Sequence, residues 1–148
     1  MKTAIVYYSH HHGNTKKLLD AIAQKNEVDL LDVNDAKKMD LTIYDCIGLA
    51  SGIYYSSFAK QMIDFVQTSL PEGKDVFYIA TCGASPTNLF LNAIKRVVRE
   101  KNSKEIGEYI CCGFDTFGPF KLIGGIKKGH PTDEEIQGTV AFYEGLKK

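Results

Sequence analysis

Short apolar runs alternate with stretches of helical periodicity from one end of the chain to the other. Thr3–Tyr8, Val28–Val33, Asp45–Ala50, Val76–Thr81 and Glu108–Phe114 are rich in β-branched and aromatic residues. Their apolar positions are mostly continuous, the mark of strands buried on both faces of a parallel sheet. Between them, Leu18, Leu19, Ile22 and Ala23 share one helical face. Ala59, Met62, Ile63 and Val66 form a second stripe, with Ser56 or Ser57 expected as its N-cap. Phe90, Leu91, Ile94, Val97 and Val98 form a third, beginning after Pro86 and Thr87. The last helix opens Pro131-Thr132-Asp133-Glu134-Glu135, and Thr132 and Glu135 have capping-box spacing. Ile136, Val140 and Tyr143 then supply its inward face. The polar segment Asn34–Asp40 reads as an irregular crossover.

The order βαβαβαβαβα predicts an α/β fold of three layers, a five-stranded parallel sheet between helices, because right-handed crossovers place helices on both faces. No repeat, linker or low-complexity tract interrupts the pattern, so residues 1–148 read as one domain. Composition changes this picture little: 44% of the 148 residues are hydrophobic, ordinary for a globular chain. Charge is more informative. Eighteen basic residues balance 18 acidic ones, which argues against nucleic-acid binding, where a basic excess neutralises phosphates. No apolar run approaches the roughly 18–20 residues of a membrane span. The opening Met1–Tyr8 is too short and strand-like for a signal peptide, so a cytoplasmic setting is expected. Cys46, Cys82, Cys111 and Cys112 have neither zinc-site nor Cys-x-x-Cys spacing. Cys111 and its neighbour Cys112 point to opposite faces of a strand, which disfavours a disulfide between them.

In open parallel sheets, ligands bind outside the carboxyl ends of the strands. After the first strand comes Ser9-His10-His11-His12-Gly13-Asn14-Thr15, leading into a helix. Such a turn presents N–H groups and the positive end of a helix dipole to an anion, though an ordinary strand-to-helix turn reads the same way. Adjacent histidines in a turn do not converge on one ion, so no metal site is expected there. After the third strand, Ser51-Gly52-Ile53-Tyr54-Tyr55 brings two tyrosines to a surface loop. Either ring can stack on a flat ligand, or both can cover core edges. After the fourth strand, Thr81-Cys82-Gly83-Ala84-Ser85 offers small residues that let backbone approach a flat polar group. The connection after the fifth strand, with Phe117 and Phe120, is long, as functional loops often are. Together these strand ends describe a site for a ring-bearing monophosphate. No catalytic acid, base or nucleophile stands out.

The strand leading to Gly13-Asn14-Thr15, the aromatic loop after the third strand and the small-residue turn after the fourth resemble the short-chain flavodoxins. The resemblance runs over nearly the whole chain. It implies the strand order 2-1-3-4-5, with FMN at the switch point between strands one and three, an arrangement for which flavodoxin itself is the standard example. It also implies cofactor contacts from Ser9–Thr15, from Ser51–Tyr55, from Thr81–Ser85 and from Phe117, and redox partner proteins as donor and acceptor. Histidine stands where the family's phosphate loop carries its second hydroxyl. In the family a peptide of the third-strand loop can rotate toward the flavin, and Gly52 is the residue expected to ease that rotation.

Two functions are compatible with this resemblance. One is an electron carrier with no substrate pocket of its own, in which the flavin does the chemistry and the protein tunes it. The other is an FMN-dependent oxidoreductase acting on a quinone or porphyrinogen, which apolar Phe117 and Phe120 would suit. A receiver-like signalling domain has the same topology but needs acidic residues where this chain has Ser9-His10 and Ala50-Ser51.

Overall fold

Strict alternation within three central strands builds two separate cores. In β1 (Thr3–Tyr8), Ala4 and Val6 face one side and Ile5 the other. In β3 (Cys46–Tyr54), Ile47 and Leu49 oppose Cys46 and Ala50. In β5 (Asp75–Cys82), Val76, Tyr78 and Ala80 oppose Phe77 and Ile79. All of these side chains are buried. The computed structural model describes residues 1–9, 13–83, 85–113 and 129–147.

The first core is closed by α3 (Lys60–Ser69) through Met62, Phe65 and Val66, and by α4 (Asn92–Arg99) through Ile94, Val97 and Val98. The second is closed by α1 (Asn14–Lys25) through Leu18, Leu19 and Ile22, and by α5 (Asp133–Leu146) through Val140 and Tyr143. Helices therefore cover both faces, as the sequence pattern requires. With β2 (Asp29–Asp32) and β6 (Lys104–Cys112), the parallel order is β2-β1-β3-β5-β6, the expected arrangement. A sixth, two-residue strand, β4 (Ser57–Phe58), pairs antiparallel with the end of β3.

A glycine makes room for an aromatic ring in the second core. A Cβ on Gly48 would lie 2.3 Å from Phe77 Cζ. With no Cβ there, the far edge of the Phe77 ring reaches β3, and the ring meets Tyr143 edge-on at a centroid distance of 5.8 Å.

Local signals account for most helix starts. Thr132 Oγ1 accepts from the Glu135 N–H, and Glu135 Oε1 accepts from the Thr132 N–H at 2.8 Å, completing the expected capping box. The segment expected to be irregular holds most of α2 (Val33–Ala36), capped by Asp32, and a 3-10 turn at Leu41–Ile43, capped by Asp40, follows it. The start of α3 differs from expectation. Neither Ser56 nor Ser57 caps it; Ala59 is the N-cap, and Ser57 is spent on β4. Among the described residues, no helix is long and apolar enough to cross a membrane.

Candidate functional site

Register brings the strand ends into line. Tyr8 pairs with Ser51, Gly52 with Thr81, and Cys82 with Cys112. The helix α1 begins beside them. Its N-cap is Gly13, in the left-handed region at φ 64°, with no side-chain cap of its own. Only a residue without Cβ adopts this conformation readily. The first turn carries no acidic residue. Ser9 Oγ accepts from the Lys16 N–H at 3.3 Å, tying the end of the turn to its beginning. Lys16 itself pairs with Asp20, one turn on.

Thr15 and Thr81 meet at the bottom of this corner. Both are buried, and their hydroxyl oxygens are 3.0 Å apart. Asn14 lies against the end of β6: a Cβ on Gly113 would come within 2.6 Å of Asn14 Nδ2. The Gly113 N–H in turn donates to Cys82 O at 2.9 Å. The start of α1 is thus seated directly on the ends of β5 and β6, a contact that no spacing in the sequence announces.

The expected loop after the third strand is a hairpin. β3 continues to Tyr54, and β4 returns along it with Ile53 opposite Phe58 and Tyr54 opposite Ser57. Tyr55 and Ser56 form the two-residue connection at φ 50° and 62°, the signs of a type I′ turn. Ser51 staples the base. Its hydroxyl donates to Gly52 O at 2.6 Å and accepts from the Ala59 N–H at 3.0 Å.

The two tyrosines separate cleanly. Tyr54 is half-buried, meets Tyr8 edge-on at 6.1 Å and folds back over Gly52, where a Cβ would lie 3.0 Å from its hydroxyl. Tyr55 stands out at the tip, 87% exposed. Gly52 is a strand residue paired with Thr81 rather than a loop residue, and the left-handed residues of the hairpin are Tyr55 and Ser56.

Of the other expected site residues, Cys82 is buried at the end of β5 and lies outside any disulfide, as do Cys46, Cys111 and Cys112. Burial, with nearby carboxylates, pushes the Cys46 thiol up to about 12. Gly83 and Ser85 follow the end of β5. His10, His11, His12, Ala84 and Phe117, together with Phe120, lie outside the described residues. Among the described residues, Ser9, Gly13–Thr15, Ser51–Tyr55 and Thr81–Gly83 include no acidic side chain, so these segments offer hydroxyl, amide and backbone donors to an anion.

A family model described as a flavodoxin domain matches residues 5–105. The chain belongs to the flavodoxin family. This flavodoxin-family chain is 31% identical to an uncharacterized protein of Methanocaldococcus jannaschii, over all of this chain and 99% of that one. In fold it is similar to oxidised flavodoxin 1 of Bacillus cereus (TM-score 0.68, 17% identity, 99% of this chain and 97% of that chain). It is likewise similar to general stress protein 14 of Treponema denticola, solved in complex with FMN (TM-score 0.70, 12% identity, 99% of each chain). At those identities the structural likeness concerns the flavodoxin fold alone.

Proposed function

We propose that this flavodoxin-family protein binds FMN at the carboxyl ends of β1, β3 and β5 and carries electrons between redox partner proteins. The observation that carries this reading is the corner where Thr15 meets Thr81. There a helix start without acidic residues, capped by a left-handed glycine, sits beside a hairpin carrying two tyrosines. This donor set fits a phosphomonoester: hydroxyl and backbone N–H groups at the positive end of a helix dipole. Gly13, Asn14 and Thr15, with Ser9, would hold the phosphate, and the three histidines after Ser9 are further candidates. Ser51–Tyr55 would supply one wall for the ring and Thr81–Ser85 another, with Phe117 as a third candidate.

When bound, the flavin supplies one- or two-electron transfer, and the protein tunes it through packing and hydrogen bonds. Thr81 orients the Thr15 hydroxyl, and Ser51 holds the hairpin in place. Tyr54 at the end of β3 packs edge-on against Tyr8. The four unbridged cysteines suit a reducing, cytoplasmic compartment.

Titration with FMN, riboflavin and FAD, followed by flavin fluorescence, tests the assignment. FMN is expected to bind most tightly, because riboflavin lacks the phosphate and FAD adds a bulky second one. Equal affinities for all three would remove the phosphate corner from the reading. Reoxidation of the reduced protein by a quinone, with turnover faster than free FMN, would replace the carrier with an FMN-dependent oxidoreductase.

A further inference from the structure

Three groups that the flavin reading does not use converge at the end of β6. Cys112, His130 and Glu135 each offer one ligand atom, and these atoms all lie within 4.8 Å of one another. Cys112 ends β6, while His130 and Glu135 bracket the start of α5. The carboxylate is fixed before any ion arrives. Its Oε1 accepts from the Thr132 N–H at 2.8 Å and lies 2.5 Å from His130 Nδ1. Its Oε2 accepts from the Cys112 N–H at 3.1 Å. The Glu135 backbone is anchored as well, because its carbonyl accepts from Tyr109 and Thr139 hydroxyls at 2.8 and 3.0 Å.

Capping a helix requires only the Thr132–Glu135 pair; it asks for neither an imidazole nor a thiol alongside. A sulfur, a nitrogen and an oxygen ligand together are the set taken by borderline cations such as Zn²⁺, not by Mg²⁺ or Ca²⁺, which prefer oxygen. Cys112 is buried, whereas His130 and Glu135 keep 32% and 21% of their side chains exposed, so an ion has a path in from solvent. We propose that Cys112, His130 and Glu135 form a site for a zinc-type divalent cation, three protein ligands with the fourth position left to water. Binding releases the thiol proton to solvent. The ion would clamp the end of β6 to the start of α5. This site uses none of the side chains assigned to the flavin, so either reading can fail without the other.

Cobalt(II), a coloured stand-in for Zn²⁺, is added to the full chain as purified, with its thiols kept reduced by a phosphine. Difference spectra taken against the sample before addition remove the flavin background. One equivalent is expected to give a thiolate-to-cobalt charge-transfer band together with tetrahedral visible bands, and Zn²⁺ is expected to abolish both. Cys112→Ser and His130→Ala should each remove the thiolate band. Changing His10, His11 and His12 together to alanine should leave it intact. His130→Ala, at a partly exposed side chain, keeps the test decisive if Cys112→Ser fails to fold. Absence of a thiolate band in the unmodified protein, or its survival in His130→Ala, would overturn the site.

Discussion

The hydroxyl oxygens of Thr15 and Thr81 lie 3.0 Å apart and out of water, although 66 positions separate them along the chain. This one hydrogen bond joins the first turn of α1 to the end of β5. Either threonine alone would be a buried hydroxyl needing a partner.

Replacing Thr15 or Thr81 with valine should therefore lower stability by about 1–3 kcal/mol, the range for stranding one buried polar group. The double replacement should cost less than the sum of the two, because no orphan hydroxyl remains. Urea denaturation of the two single variants and the double variant measures the coupling. Strict additivity would mean that the two hydroxyls do not depend on each other.

Gly48 is expected to be intolerant for a steric reason. Alanine there would place a Cβ 2.3 Å from Phe77 Cζ, and overpacking of this kind typically costs about 1–3 kcal/mol. The double variant Gly48→Ala/Phe77→Leu should regain part of that loss, since the smaller side chain vacates the contact. Thermal melts of both variants decide the point.

The two tyrosines of the hairpin should respond differently. Tyr55→Ala is expected to weaken FMN binding by about 1 kcal/mol, the worth of a stacked ring, while leaving the melting temperature nearly unchanged. Tyr54→Ala removes its packing against Tyr8 and should lower stability even without flavin. Fluorescence titration and thermal unfolding of each variant separate these outcomes. A Tyr55 variant with unaltered affinity would take that ring out of the flavin wall.

Alkaline pH should act through Tyr44. Burial, together with a 2.7 Å hydrogen bond to Asp29, pushes its hydroxyl from the ordinary 10.0 up to about 12. The folded state therefore resists ionisation that the unfolded chain undergoes freely. This contribution to stability is complete below pH 10 and is lost as pH rises toward 12. Tyr44→Phe should show a shallower loss over that interval, measurable by urea denaturation at a series of pH values.

Legibility of the fold followed burial. β1 and β5 were readable nearly to the residue because continuous apolar runs mark strands covered on both faces. β6 begins at Lys104, four residues before the expected start, because its polar opening is edge structure, stabilised by Arg99 bound to Glu105 and by Tyr78 donating to Glu105. No apolar pattern records such an opening. The end of β3 was hidden in the opposite way. Ser51 and Gly52 carry turn chemistry in isolation, yet pairing with β5 on one side and β4 beyond extends the strand through them. Most of the candidate corner was visible as residue types at strand ends. What was not visible was the contact geometry: Thr15 on Thr81, Asn14 on Gly113, and Ser51 reaching Ala59. The cluster of Cys112, His130 and Glu135 carries no sequence signal either, since Glu135 reads only as half of a capping box.

The hairpin tip inverts the usual rule for mutational tolerance. Loop tips ordinarily accept almost any residue, but here two consecutive side-chain-bearing residues occupy left-handed backbone, each at about 1–3 kcal/mol. A saturation library across Ser51–Ala59 should thus enrich for asparagine and glycine at positions 55 and 56 when selected for stability alone. Selection for flavin retention should pull position 55 back toward aromatic residues. The sharpest depletion should fall on Ser51, four positions before the strained pair, because its hydroxyl is the pin that keeps the tip from relaxing.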